Sequence, residues 1–289
     1  MKLFIGMLAY NSGPIIEAAI KSTYDYAEKI IVVDGGPCGP STDNTVRIAR
    51  ACGKKVEVWS GTFRTKDGAW TERDQRQTYI DNSMRGDGNW LLLQDSDEVY
   101  DDDNMQKMIR NIEKASPETM GFSTYWIHFF HDLKHIIVGG DFSQPRWDGV
   151  YRLTNDVYQL SLNQVGTFRP EMSWSCASPP IHCVMYDVFF YHYGHALSKE
   201  RREYKVKTFV EQGMFNEKGY GPGDWERFKA EKWDGRFETE LQDSEKRESF
   251  NEHWVSFAHD FKPVVHPYSG GHPKEIVKIA KLIWGKECF

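Results

Sequence analysis

No apolar run in this 289-residue chain is longer than a β-strand. A membrane-spanning helix needs about 20 such residues, so no integral membrane association is expected. The opening MKLFIGMLAYN is apolar only briefly, and no small-residue cleavage site follows it. It reads as a first strand rather than a secretory signal. The five cysteines (Cys38, Cys52, Cys176, Cys183 and Cys288) are scattered and form no CxxC pair. Neither a zinc site nor a disulfide framework is expected, and a reducing, cytoplasmic location follows. An excess of positive charge is missing too. Lys and Arg number 36 against 42 Asp and Glu, for a net charge of −6. That argues against nucleic acid as a general partner, although a local basic stripe can still bind one. Internal repeats and low-complexity linkers are absent. So are the usual phosphate-binding glycine loops. The run DGGPCGPSTDNT, residues 34–45, fits neither GxGxxG nor GxxxxGK[ST].

What is present is a soluble, globular composition, with 40% hydrophobic and 27% charged residues. The first hundred residues alternate between buried strands and helices. Lys2–Tyr10, Lys29–Asp34, Lys55–Trp59 and Trp90–Gln94 read as strands. Helices are expected from Pro14, from the capping residues Ser41–Asn44 through Ala51, and over Trp70–Met84. This order predicts right-handed crossovers and a mostly parallel α/β sheet flanked by helices. Beyond it, Gly121–His131 and His135–Gly139 read as a hairpin, and Gly149–Leu153 as a short strand. Val188–Phe190 reads as a strand leading back to the core. A charged helix should follow Leu197, and Pro273–Trp284 should be a last amphipathic helix. Three regions are expected: residues 1–105 for ligand binding, 106–198 as an aromatic-rich half, and 199–289 as a helical C-terminal part.

Ligands in parallel α/β sheets bind beyond the carboxyl ends of the strands. Tyr10 and Asn11, then Asp34, then Asp95, Ser96 and Asp97 all fall at such ends. A carboxylate at the position of Asp34 can accept hydrogen bonds from a base or a ribose. The segment NWLLLQDSDE, residues 89–98, ends an apolar run in three carboxylates. It is not an EF-hand, because Val99 and Tyr100 stand where an oxygen ligand and a glycine are needed. Asp95 and Asp97, two apart at a turning strand end, can instead reach one hard cation. Mg²⁺ and Mn²⁺ take one or two such carboxylates and leave other positions to phosphates and water.

The ordered set AYN, VVD with STDNT behind it, RQTYI, GNWLLLQDSDE and YHYGHA resembles the family 2 glycosyltransferases of the GT-A fold. Residues 1–105 carry the resemblance well and 145–210 more loosely. It implies an inverting transferase that moves a sugar from a nucleotide-diphosphate donor, by default a UDP-sugar, to an acceptor hydroxyl with Mn²⁺ or Mg²⁺. It implies that Asp34 binds base or ribose and that Asp95 contacts ribose or metal-bound water. Asp97 would ligate the metal, Arg76 (or Arg73) would lie near the nucleotide, and His192 would be a further metal ligand, with His195 as its competitor. Gly194 would let the chain turn there. Basic residues Lys199, Arg201, Arg202 and Lys205 could help neutralise the diphosphate. The acceptor is a glycan, a lipid carrier, a protein or a modified nucleic acid. The family's upstream His-Glu pair is His182-Cys183 here, so the base is open among His182, Asp141, Asp148 and Asp187. Trp126, Trp147, Trp174, Tyr191 and Tyr193 are candidates for an acceptor surface or for the core. A nucleotidyltransferase and a non-catalytic nucleotide-sugar-binding protein are the alternatives.

Overall fold

The computed structural model describes residues 1–36, 39–61, 72–86, 88–154, 157–159, 172–174, 181–197, 199–211, 219–231 and 263–285. Strands β1 (Lys2–Ala9), β2 (Lys29–Asp34), β3 (Val56–Ser60) and β4 (Asn89–Asp95) are mutually parallel, with β1 between β2 and β4. Alternate residues of these strands feed two layers of core, as the two-residue period of a strand requires. Leu3, Ile5, Met7, Ile30, Val32 and Leu92 face helices α1 (Ile16–Tyr24) and α2 (Thr45–Ala51) on one side. Phe4, Ile31, Val33, Leu91 and Leu93 face Tyr79 and Ile80 of α3 (Glu72–Asp81) on the other. Burial on both faces explains why these strands read as continuous apolar runs.

The second part of the sheet is mixed. Strand β5 (Glu98–Val99) and helix α4 (Asp102–Glu113) follow the acidic turn. Strand β6 (Thr119–Phe130) is long. On one edge it pairs antiparallel with β7 (His135–Val138) and β8 (Arg146–Arg152), and β8 also joins β4 antiparallel. A 3₁₀ turn over Gly140–Ser143 links β7 to β8, and β9 (Val157–Gln159) and β10 (Met172–Trp174) form a separate two-stranded sheet. On its other edge β6 pairs in parallel with β11 (Ile181–His195). Helices α5 (Lys199–Glu211) and α6 (Trp225–Glu231) come next, then β12 (Val264–Pro267) against β7 and a last helix α7 (Lys274–Trp284).

Several elements differ from the sequence reading. The first helix begins at Ile16 rather than Pro14, after a turn in which Ile16 N–H bonds Ser12 O at 3.0 Å. Helix α4 was not expected, yet Asp101 caps it by accepting from Asn104 N at 2.7 Å. Asp102 and Asp103 in its first turn suit the helix dipole. The expected Val188–Phe190 strand is the middle of a 15-residue one. Tyr191 and Tyr193 pack with Phe129 inside the core rather than lining a cleft. No helix among the described residues is long and apolar enough to cross a membrane.

Candidate functional site

The carboxyl ends of β1, β2 and β4 share one edge of the sheet, and the end of β11 meets them there. Strand β5 makes the junction. It leaves the Asp95–Asp97 turn and pairs antiparallel with β11, matching Glu98 to His192 and Val99 to Tyr191. Tyr193 N–H donates to Asp97 O at 2.9 Å, which fixes the turn against the YHYG segment.

At the end of β2, Asp34 is 4% exposed. Its Oδ2 accepts from Ser41 N at 3.2 Å, while the equally buried Oδ1 has no hydrogen-bond partner. A buried carboxylate oxygen left unpaired costs stability, so it is a place for an incoming donor group. Asn11, at φ 48°, ties β1 to the same loop. Its N–H donates to Ser41 Oγ at 2.8 Å and its Oδ1 accepts from Thr42 N at 2.8 Å. The Tyr10 ring lies flat against Gly36, where even a Cβ would come within 2.5 Å of it.

Asp95 is held by two arginines. Arg76 Nη2 is 3.3 Å from Oδ1, and Arg146 Nη2 is 2.9 Å from Oδ2. Burial opposes the charge on Asp95, but the two guanidiniums outweigh it and keep the carboxyl below the usual carboxylate range. With both oxygens engaged by arginine, Asp95 is not gathered with the metal-competent groups. Arg76, itself 3% exposed, also donates to Tyr79 OH at 3.0 Å. Ser96 is buried and shares a 2.7 Å hydrogen bond with Ser12 Oγ, which makes it a tie between β1 and the turn. Arg146 escaped the sequence reading because no local pattern links it to residues some fifty positions earlier. The side chain of Arg73 lies outside the described residues.

The groups that could hold an ion are Asp97, Glu98 and His192, whose ligand atoms lie within 4.8 Å of one another. Glu98 is largely committed. Its Oε2 accepts from Asp95 N at 2.9 Å, and its Oε1 pairs with Arg146 Nη1. That leaves Asp97 Oδ1 and His192 Nε2, 3.7 Å apart. This is too long for a hydrogen bond. It is close to the roughly 3 Å between neighbouring ligands of an octahedral ion with bonds of about 2.1 Å. A carboxylate plus an imidazole suits Mn²⁺ and leaves most coordination positions to phosphate and water. Gly194 matters here for space, because its backbone does not make the expected turn and the strand runs on to His195. A Cβ at Gly194 would come within 2.5 Å of Asp97 Oδ2 and 2.8 Å of the His192 ring.

His192 belongs to a cluster of packed rings, of which His128 is buried and the others partly buried. His128 lies 4.4 Å from it and Trp126 5.5 Å, while His195 stands 4.9 Å from His128. Among the described residues neither His128 nitrogen nor His192 Nδ1 has a hydrogen-bond partner, and the His192 ring packs against Trp126 and His128. Burial pushes His192 down to about 4, and drives His128 and His195 well below the ordinary histidine value. On the opposite face, burial takes His272 down to about 4 as well. That ring is neutral and satisfied, accepting from Tyr193 OH at 3.0 Å and donating Nε2–H to Leu133 O at 3.0 Å. The unfolded chain binds these protons near pH 6.5 and the folded chain does not, so stability should fall as pH drops from about 6.5 towards 4. His272→Gln should flatten that fall by up to about 1.4 kcal/mol per pH unit. Urea melts of both proteins at pH 7 and 5 check this, and parallel pH profiles would reject it.

The structure does not bring His182 to the cluster. It pairs in register with Gly121, whereas His192 pairs with His128. At about 3.3 Å per residue this places it roughly 23 Å away along the strand. There it hydrogen-bonds Ser123 Oγ at 2.7 Å, and burial lowers its pKa. Asp187 sits with Asn111 of α4, 3.4 Å away. Asp141 lies in the 3₁₀ turn and Asp148 in β8, and their side chains fall outside the described residues, as do those of Trp147, Trp174, Lys199 and Arg201. Asp141 adjoins Phe142, whose ring is 4.9 Å from His128.

The model of glycosyl transferase family 2 matches residues 4–128. An uncharacterized glycosyltransferase of Mycoplasma pneumoniae is 26% identical over 127 residues, covering 42% of this chain and 40% of its own length. Among solved structures, TarS of S. aureus (residues 1–349) is similar at TM-score 0.43 and 15% identity, covering 75% of this chain and 72% of that one. Glucosyl-3-phosphoglycerate synthase of Mycobacterium tuberculosis, solved with Mn²⁺ and UDP, is similar at TM-score 0.34 and 18% identity over 43% of this chain and 44% of that one. The chain thus spans less than half the length of the curated relative it matches.

Proposed function

We propose that this protein is a metal-dependent glycosyltransferase that uses a nucleotide-diphosphate sugar, with UDP as the nucleotide, and inverts the anomeric centre. The observation that carries this reading is the approach of Asp97 to His192 at the sheet edge where Asp34 holds out an unpaired carboxylate oxygen. Asp34, Tyr10 and Asn11 would receive the nucleoside, with Asp34 Oδ1 accepting from an imide N–H or a ribose hydroxyl. Arg76 and Arg146 would hold Asp95 in place beside the ribose. Asp97 and His192 would hold Mn²⁺ or Mg²⁺, whose chemistry is to stabilise the charge on the departing diphosphate. Residues 1–105 would thus bind the donor, 106–198 would close the metal site and form the acceptor side, and 199–289 would be a C-terminal helical region. The base would come from Asp141 or Asp148, with Asp141 favoured because its neighbour Phe142 packs on the histidine stack. The acceptor would be a hydroxyl of a glycan, lipid carrier, protein or modified nucleic acid, met in the cytoplasm.

The test is prolonged incubation with UDP-sugars and Mn²⁺. Slow release of UDP supports the transferase, and the same assay on Asp141→Asn and Asp148→Asn assigns the base. Pyrophosphate release from a nucleoside triphosphate would instead favour a nucleotidyltransferase. Tight binding without turnover, acceptors included, would favour a binding protein. Asp34→Ala should weaken UDP binding by about tenfold or more, because a hydrogen bond to a charged group contributes about 1.5–3 kcal/mol. Calorimetry showing unchanged affinity in the folded variant would remove Asp34 from the nucleotide site.

A further inference from the structure

Helix α5 carries a lysine into the strand-end cluster. Lys205 Nζ lies 3.7 Å from Asp97 Oδ2 and donates to Gly194 O at 3.4 Å. The other oxygen of the same carboxylate faces His192. Asp97 therefore stands between an ammonium and an imidazole, at ion-pair range of both and bonded closely to neither. The helix is anchored separately. Arg202, almost one turn earlier, donates to Leu197 O at 2.5 Å and lies 4.3 Å over the Phe130 ring. The Lys205 side chain is 38% exposed, so its head can move on a flexible four-carbon stem while its backbone stays fixed.

We infer that Lys205 and a divalent cation hold Asp97 in alternation, and that the lysine displaced by the ion is the residue that then pairs with the donor's diphosphate. The inference rests on reading Asp97 and His192 as the metal pair. A divalent ion on Asp97 repels an ammonium a few ångströms away, and the repulsion is strong in a partly desolvated cleft. A compact ammonium on a long stem answers by changing rotamer, which a fixed guanidinium fork would not do as readily. The diphosphate that accompanies the ion supplies the nearest negative charge. One residue then does two opposed things. It weakens binding of the bare ion and strengthens binding of the ion with its nucleotide.

Lys205→Met keeps the stem and removes the charge. Mn²⁺ alone, followed by the electron paramagnetic resonance signal of free ion, should bind this variant about tenfold more tightly than the original protein. UDP at saturating Mn²⁺, followed by calorimetry, should bind it about tenfold more weakly. Unchanged Mn²⁺ affinity with weakened UDP would make Lys205 an ordinary phosphate contact and overturn the exchange. Weakening of both, with a lowered melting temperature, would make it structural and overturn the exchange as well. The underlying reading fails separately. If Asp97→Asn loses no Mn²⁺ affinity, the metal pair itself is wrong and the inference falls with it. If Asp97→Asn loses the ion while Lys205→Met changes neither affinity, the inference alone falls.

Discussion

Asp97→Ala should abolish Mn²⁺-dependent binding of UDP, and His192→Ala should do the same. The two atoms that would grip the ion come from segments almost a hundred residues apart, brought to 3.7 Å by the pairing of β5 with β11. With Glu98 tied to Arg146 and to the Asp95 backbone, no spare carboxylate stands ready to take over among the described residues. Losing a ligand should therefore exceed the roughly 10–100-fold that removing an outer-shell partner costs a metal site. The double variant should be little worse than either single one, because both serve one ion. Calorimetric titration of UDP with and without Mn²⁺ reads this directly. If His192→Ala keeps its metal dependence and His195→Ala loses it, the imidazole ligand is the wrong one. His195 ranks behind because its ring is 6.0 Å from His192 and packs tilted against His128, and it is not among the groups gathered with Asp97. If Asp97→Ala binds UDP with undiminished Mn²⁺ dependence, the acidic turn is not a metal site at all.

Much of this edge was legible in the sequence, for a definite reason. Strands buried on both faces read as unbroken apolar runs, and the polar residue that ends each run marks where the sheet stops. That located Asp34 and the Asp95–Asp97 turn, and it placed YHYG at a strand end. What sequence could not give was distance along a strand. His182 was a candidate base and His192 a metal ligand of one site, but β11 is 15 residues long and holds them towards opposite ends. Nor could it show β5. Two residues have no periodicity, and β5 exists only because β11 offers it an edge. Helix α4 did have a signal, with Asp101 as cap and Met105, Met108 and Ile112 on one buried face. The same limit hid Arg146, which reaches Asp95 and Glu98 through the pairing of β8 with β4.

Arg146 is also where the largest loss of stability is expected. Its side chain is 12% exposed, and its two terminal nitrogens face two different carboxylates. Nη2 donates to Asp95 Oδ2 at 2.9 Å, Nη1 pairs with Glu98 Oε1, and the guanidinium carbon lies 5.4 Å from the Phe190 ring centre. Glu98 is fully buried. Arg146→Met removes the guanidinium that faces its charge, while Arg76 is paired with Asp95. Removing one partner of a buried pair typically costs about 3–5 kcal/mol, because the remaining ion is desolvated and unpaired. At roughly 2–4 °C per kcal/mol, the melting temperature should fall by about 6–20 °C. Arg146→Lys should recover part of this, since one ammonium can face one carboxylate but not both. The decisive variant is the double one, Arg146→Met with Glu98→Gln. Removing both charges should restore more stability than Glu98→Gln restores to any other background, leaving a positive coupling of about 1–3 kcal/mol in the cycle. Nucleotide binding should not return with it, because Asp95 still lacks one of its two arginines. If Arg146→Met melts within about a degree of the original protein, Glu98 does not depend on it. The acidic turn would then be held by the β5–β11 pairing alone.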